Sequence, residues 1–254
     1  MSGNCCQFGV VVAHNLKLSI LMPACNEEGG LAASVGSVLR QIDTLQIDAE
    51  LLIVDDGSRD RTGRLAEKLA TQEPRIRVFR HPSTLGIGGG FLTGVREARG
   101  EFLILIPADL AMDLDDLPKY LAVSKQADIV VGLCRRYSDY TLFRRIVHDT
   151  NIRLIRLLFG MRLRQFQYIC LYRLDVLREM RIEYWHSAFF HAEVLIKATA
   201  MGRRLVEVEI TGAPRAAGRA TGARWALILR TVRDMFRFWS HWIQPNRGRL
   251  LRPL

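Results

Sequence analysis

The sequence predicts an α/β fold whose mostly parallel sheet is flanked by helices. Three observations carry this. Short continuous apolar runs, Leu51–Val54 and Phe102–Ile106 among them, have the length of strands buried on both faces. Stretches of helical period alternate with those runs, which implies parallel pairing through right-handed crossovers. Each run breaks abruptly into turn-forming and polar residues, as at the carboxyl edge of an open sheet, where such folds bind ligands.

Taken in order, Leu18–Met22 is the first strand. Pro23 ends it, and Asn26 or Glu27 stands where a loop meets a ligand's edge. Leu31, Ser34, Val35, Val38, Leu39 and Ile42 keep the period of a helix with one buried face. The second strand ends in Asp55-Asp56-Gly57-Ser58. Gly57 permits a tight turn, and Ser58 or Asp60 can cap the helix marked by Leu65, Ala66 and Leu69. Ile76–Phe79 is a short third strand. Thr84-Leu85-Gly86-Ile87-Gly88-Gly89-Gly90 then opens a helix through Val95 and Ala98. Its glycines allow a helix terminus to approach a phosphate or a nucleotide ring, although the run matches no Walker or dinucleotide pattern.

The strand Phe102–Ile106 delivers Pro107-Ala108-Asp109-Leu110. Asp109 at a strand end suits a hard divalent cation, and Asp113 is a second candidate ligand. Asp115 and Asp116, just before Leu117-Pro118, read as helix caps. Beyond the strand Ile129–Gly132 the arginines crowd, from Arg135 to Arg164, around an amphipathic helix bearing Leu154, Ile155, Leu157, Leu158 and Phe159. Glu193 opens a helix through Leu195, Ile196 and Ala198, and Leu205–Ile210 is a further strand. Thr211–Gly222 reads as a basic loop. The final segment places Trp225, Leu229, Val232, Met235, Phe236, Trp239 and Trp242 at helical spacing, bordered by Arg224, Arg230, Arg233 and Arg237. Such a helix either lies in a headgroup layer or packs on its own domain or a second subunit.

Composition narrows the classes. The chain has 254 residues, 49% of them hydrophobic, enough for one sizeable α/β domain with an appendage. No apolar run reaches the roughly 18 residues of a spanning helix, and the start lacks the basic region of a signal peptide. Five cysteines without CxxC spacing indicate a reduced, cytoplasmic chain with no structural zinc. The net charge of +10 divides unevenly, −4 over residues 1–130 and +14 over 131–254. An acidic first half suits a metal, and a basic second half attracts phosphates or an anionic membrane surface. Nucleic acid is not expected as a partner, because no recognition motif accompanies the basic residues.

Pro23-Ala24-Cys25-Asn26-Glu27, Val54-Asp55-Asp56-Gly57-Ser58, Gly86–Gly94 and Ala108-Asp109-Leu110, in this order, resemble family 2 glycosyltransferases of the GT-A (Rossmann-like) fold. Within them the chain looks most like polyprenyl-phosphate (dolichyl-phosphate) mannosyl- and glucosyltransferases, over roughly residues 18–215. The resemblance implies a domain scheme: an extension at 1–17, a nucleotide-sugar half at 18–131, an acceptor half at 132–215 and a basic amphipathic helical extension at 216–254. It implies that Pro23, Ala24, Asn26, Glu27, Asp55 and Asp56 bind the nucleotide, with Asp56 or Asp55 near base or ribose and Gly86 beside it. The family's Asp-x-Asp motif, which holds Mg²⁺ or Mn²⁺ and the donor diphosphate, reads Pro107-Ala108-Asp109 here, so its first carboxylate is missing. Asp109 keeps the position nearest the metal.

On the acceptor side, Arg135 or Arg136 with Tyr137, Arg145 with Asn151, Glu193, and Arg215 with Gly218 match family positions. Arg164-Gln165-Phe166-Gln167-Tyr168 replaces the family's usual Gly-Phe turn. The implied activity is transfer of a hexose, with inversion, from UDP- or GDP-hexose to polyprenyl phosphate at the inner face of a membrane. Another lipid or a soluble glycan is the alternative acceptor, and a non-catalytic sugar-nucleotide binder the alternative function. A hydroxyl acceptor would need a base, Glu193 or Asp113. His148, His186 and His191 lack metal-ligand spacing and read as pocket or surface residues. Oligomeric state is left open, a homodimer included.

Overall fold

The computed structural model describes residues 17–110, 112–134, 142–166, 169–211 and 225–243. Among these, β1 (Lys17–Ala24), β2 (Asp48–Asp55), β3 (Ile76–Arg80), β4 (Phe102–Leu105), β5 (Ile129–Cys134), β6 (Cys170–Arg173) and β7 (Leu205–Ile210) form one sheet in the order β3-β2-β1-β4-β6-β5-β7. Every neighbouring pair is parallel except those of β6, which runs antiparallel to β4 and β5. The mostly parallel sheet is as expected. The reversed strand β6 was not foreseen: four residues between turns give no periodicity from which a direction can be read.

Side chains alternating along the strands divide the core into two layers. Leu18, Ile20, Met22, Leu51 and Ile53 face α1 (Leu31–Leu45), α2 (Thr62–Gln72) and α4 (Leu117–Val123). Leu21, Leu52, Val54, Leu103 and Leu105 face the opposite layer. That layer holds α3 (Ile87–Glu97), α5 (Leu142–Phe159), α6 (Leu174–Arg178), α7 (Phe190–Ala200) and α8 (Trp225–Phe238), the last continued by a π-helical turn, Trp239–Ile243. Phe91 centres this layer, fully buried, edge-on to Tyr172 and tilted against Phe190, each with ring centroids 5.4 Å away. Helix α8 docks through Thr231, Asp234, Met235 and Phe238, and the Phe238 ring reaches Phe159, Phe189 and Tyr184. One face of the terminal helix is therefore packed on its own domain, while Trp225, Leu229, Phe236 and Trp239 remain exposed.

Topology fixes where a ligand can sit. β1 connects through α1 to β2 on one side, while β4 lies on its other side, so the strand order reverses between β1 and β4. Open α/β sheets bind ligands in the crevice beyond the strand ends at such a reversal. The register brings the ends level, pairing Ala24 with Asp55 and Asp55 with Arg80. The main chain beyond β4 continues alongside β1, with Ala108 N–H donating to the Pro23 carbonyl.

His191, in the first turn of α7, is half-buried. Its Nδ1 is buried with no hydrogen-bond partner among the described residues, and burial pushes the imidazole down to about 4. Between that value and about 6.5 the unfolded chain takes up a proton that the folded chain refuses. Stability should therefore fall as pH drops through this window and level off below it, a loss of about 3 kcal/mol. Urea melts from pH 7 to pH 4 on the wild type and His191→Phe test this. An acid limb equally steep in both would assign the slope to other groups.

Candidate functional site

The loop after β1 and the turn after β2 are laced together by backbone donors. Asn26, in the left-handed region at φ 57°, donates its N–H to Ser58 Oγ at 3.0 Å and accepts from Arg59 N–H at 2.9 Å through Oδ1. Asparagine tolerates this conformation better than other non-glycine residues do. Glu27 N–H donates to Thr62 Oγ1 at 2.8 Å, and Glu28 N–H to Asp60 Oδ2 at 3.2 Å. Asp60 also accepts from Thr62 N–H at 2.9 Å, so Asp60, of the two candidates, is the one that satisfies a donor at the start of α2. Gly57 is at φ 69°, and a Cβ there would lie 2.6 Å from the Ser83 carbonyl carbon, so the turn after β2 touches the loop after β3.

Asp56 is the most heavily engaged group of the site. Its carboxylate, 4% exposed, accepts from Leu85 N–H at 2.9 Å and Gly86 N–H at 2.7 Å and meets His81 Nδ1 at 2.7 Å. His81 Nε2 is in turn 2.8 Å from Thr93 Oγ1 on α3. Asp55 is fully buried; Oδ1 accepts from Ser58 N–H at 3.0 Å, and Oδ2 pairs with Arg80 Nε at 3.1 Å. Both aspartates thus organise loops through their oxygens. His81 and Arg80 carry this arrangement and escaped sequence reasoning, because one residue at a strand end has no periodicity to mark it. A cleft of about 610 Å³ opens here, lined by Gly57, Ser58, Arg59, Arg80, His81 and Thr84 among others.

The charge of Asp109 is felt by Glu27 across the β1–β4 crevice. Burial raises the Glu27 carboxyl above its ordinary range, and the charges of Asp109 and then Asp60 raise it further. Asp109 is half-buried, and Leu110 beside it is held at φ 47°, an outlying conformation for a branched side chain. Burial, together with the charges of Asp56, Asp55 and Asp60, also raises the Cys25 thiol against a hydrogen bond with Thr84 that lowers it.

The structure therefore brings Pro23, Ala24, Asn26, Glu27, Asp55, Asp56, Gly86 and Asp109 to one edge of the sheet. Other candidates stand elsewhere. Asp113 Oδ1 accepts from Asp115 N–H at 3.1 Å and caps a short 3₁₀ turn, a role that sequence reasoning had given to Asp115 and Asp116. Buried Asp116 instead accepts from Thr211 N–H and pairs with Lys119. Glu193 is fully buried, accepting from Glu183 N–H at 2.8 Å, Tyr184 N–H at 2.9 Å and Lys197 Nζ at 2.7 Å. With both oxygens taken, its geometry is that of an anchor for the 183–184 loop and not of an available base. Arg145 is exposed on α5. Arg135 and Arg215 lie outside the described residues. Among the described residues, no group of three or more His, Cys, Asp and Glu side chains is arranged to hold a metal by itself.

Comparison with known proteins places the chain in a family. The profile of Glycosyl transferase family 2 matches residues 19–197, and the chain belongs to that family. An undecaprenyl-phosphate mannosyltransferase of Micrococcus luteus is 25% identical over 215 residues, covering 81% of this chain and 87% of the relative. An undecaprenyl-phosphate 4-deoxy-4-formamido-L-arabinose transferase of Proteus mirabilis is 26% identical over 206 residues, 80% of this chain but only 61% of the relative's length. Among solved structures, the glucosyl-3-phosphoglycerate synthase of Mycobacterium tuberculosis with Mn²⁺, UDP and phosphoglyceric acid superposes with a TM-score of 0.67 at 17% identity, over 88% of this chain and 78% of that one. The mannosyltransferase PcManGT of Pyrobaculum calidifontis with GDP-Man and Mn²⁺ gives 0.63 at 15%, over 88% and 65%. The fold is GT-A, and the enzyme is a family 2 glycosyltransferase.

Removing the Asp56 carboxylate should free two buried backbone donors and His81 together. Asp56→Ala is expected to cost about 3 kcal/mol in denaturant unfolding. It should also weaken nucleotide-sugar binding by calorimetry about tenfold or more. Native stability and affinity in this variant would mean that the 85–86 turn is held by something else.

Proposed function

We propose that this family 2 enzyme transfers a hexose from UDP- or GDP-hexose to a polyprenyl phosphate, inverting the anomeric centre, at the surface of an anionic membrane. The observation that carries the donor half is the convergence of Asn26, Glu27, Asp55, Asp56 and Asp109 beside the Gly86 turn. We assign residues 18–131 to the donor and 132–215 to the acceptor. In this reading Pro23, Ala24 and Asn26 shape the nucleotide's edge. Asp55 and Asp56 hold the walls of the base cleft, and Gly86 leaves room beside the ring.

The donor set suits a hard divalent cation in one respect. Mg²⁺ and Mn²⁺ commonly take one or two protein carboxylates and complete their shell with water and substrate phosphates. Glu27 and Asp109 are two like-charged carboxylates facing one crevice, and a cation relieves their repulsion. Bound there, it would neutralise charge on the departing nucleoside diphosphate. Pro107 supplies no ligand, so Glu27 is assigned the place of the missing carboxylate.

Support for the acceptor comes from the relatives, whose names specify undecaprenyl phosphate, and from chemistry. A phosphate acceptor is already ionised and needs little help from a general base. The engagement of both Glu193 oxygens is compatible with such an acceptor and awkward for a hydroxyl. Arg135, Arg145 and Arg215 are assigned to the acceptor's charge. Among the described residues no helix is long and apolar enough to cross a membrane. Contact with lipid is therefore assigned to the exposed face of α8.

Donor turnover tests this reading. In Mg²⁺ or Mn²⁺, Asp109→Ala should lose on the order of 10²-fold in kcat for transfer to farnesyl phosphate. Metal-dependent thermal stabilisation by UDP- or GDP-hexose should disappear with it. Undiminished turnover in the variant would remove Asp109 from the site. Transfer to a soluble glycan but to no lipid phosphate would replace the acceptor.

A further inference from the structure

Helix α8 presents three faces. Thr231, Asp234, Met235 and Phe238 point into the core. Trp225, Leu229, Phe236 and Trp239 form an exposed apolar stripe, between 40% and 66% accessible. Between the two, Arg230, Arg233 and Arg237 follow one another at helical spacing and line a cleft of about 760 Å³, whose far wall is the loop carrying Tyr184 and His186. His241 closes one end. Tyr184, in the far wall, stands edge-on to Phe238 at 5.8 Å.

The cleft's charge is positive in effect. Two carboxylates also line it, but both are paired: Glu183 shares Lys197, at 3.2 Å, with buried Glu193, and Asp234 pairs with Arg233 at 3.1 Å, so three arginines face two partly neutralised acids. Arg230 makes one long bond, 3.4 Å, to the His186 carbonyl. That leaves the Arg230 and Arg237 guanidiniums able to turn towards an anion, and planar guanidinium forks suit phosphate oxygens. The far wall also abuts the donor side. A Cβ on Gly88, in the first turn of α3, would lie 2.0 Å from the Trp185 carbonyl, so the loop bearing His186 presses on the helix that follows Gly86.

We propose that this cleft receives the phosphate head of the isoprenoid acceptor, with Arg230 and Arg237 as its principal ligands and the Trp225–Trp239 stripe carrying the first isoprene units. The inference rests on the acceptor reading above, and it adds a subsite on α8 to the arginines already assigned. An amphiphile fits better than a free anion, because a basic cleft and an exposed apolar stripe lie side by side on one helix.

Tryptophan fluorescence of the full chain, titrated with farnesyl phosphate and separately with inorganic phosphate, tests it. Farnesyl phosphate should bind at least about tenfold more tightly than inorganic phosphate, and Arg230→Ala/Arg237→Ala should raise its Kd about tenfold or more. Arg230→Lys/Arg237→Lys should recover part of the loss, which a merely misfolded cleft would not. Equal affinity for the two probes, or an unchanged Kd in the alanine pair, overturns the proposal. Sugar transfer to farnesyl phosphate separates the two readings. Arginine-dependent binding without transfer keeps the cleft and removes the acceptor reading. Transfer with an unchanged acceptor KM in the alanine pair keeps the acceptor and removes the cleft.

Discussion

A single buried carboxylate holds together the loops at one edge of the sheet. Asp56 stands one residue beyond β2, yet its oxygens reach the Leu85 and Gly86 amides and the His81 ring, tying the ends of β2 and β3 to the start of α3. Hydrogen bonds to an ionised acceptor in a poorly solvated site are stronger than neutral ones. Leaving those donors unpaired costs more than the bonds themselves contribute. The glycine-rich turn is therefore positioned by charge, and its freedom to take φ 84° at Gly86 is what lets the backbone comply.

The strand ends had to be level before that carboxylate could act. Parallel pairing of β1 with β2 and of β2 with β3 aligns Ala24, Asp55 and Arg80, while β4 on the other side of β1 brings up Asp109. One register slip would turn Asp55 to the opposite face of the sheet. The two hydrophobic layers resist such a slip, because Ile20 and Met22 serve one layer and Leu21 the other.

Much of this was readable from residue order alone. Apolar runs of four or five residues ending in Asn-Glu, Asp-Asp or Ala-Asp announce both a buried strand and its functional edge, and the structure brings those endings together. Partnership was less legible. Nothing in the sequence distinguishes Asp56 as an anchor from Asp56 as a ligand contact, and Glu193 looks like any acid opening a helix until Lys197 and two backbone amides are seen to surround it. Asp113 caps a turn and Asp116 ties Thr211 and Lys119, contrary to the expected roles, for the same reason: capping depends on backbone angles, which a cluster of aspartates does not reveal. The reversal of β6 is set by its connections, not by Cys170–Arg173 themselves.

The uneven charge of the chain fits this division of labour. In the first half, carboxylates outnumber cations, and they serve turns and the Glu27–Asp109 crevice. In the second half, arginines predominate, and on α8 they lie beside apolar side chains that the domain leaves uncovered. A donor site needs a place to leave negative charge, whereas an acceptor site for a lipid phosphate needs to collect it next to hydrocarbon. The −4 and +14 halves are the division that the proposed reaction calls for, with the acceptor's own ionisation doing what a protein base would otherwise have to do.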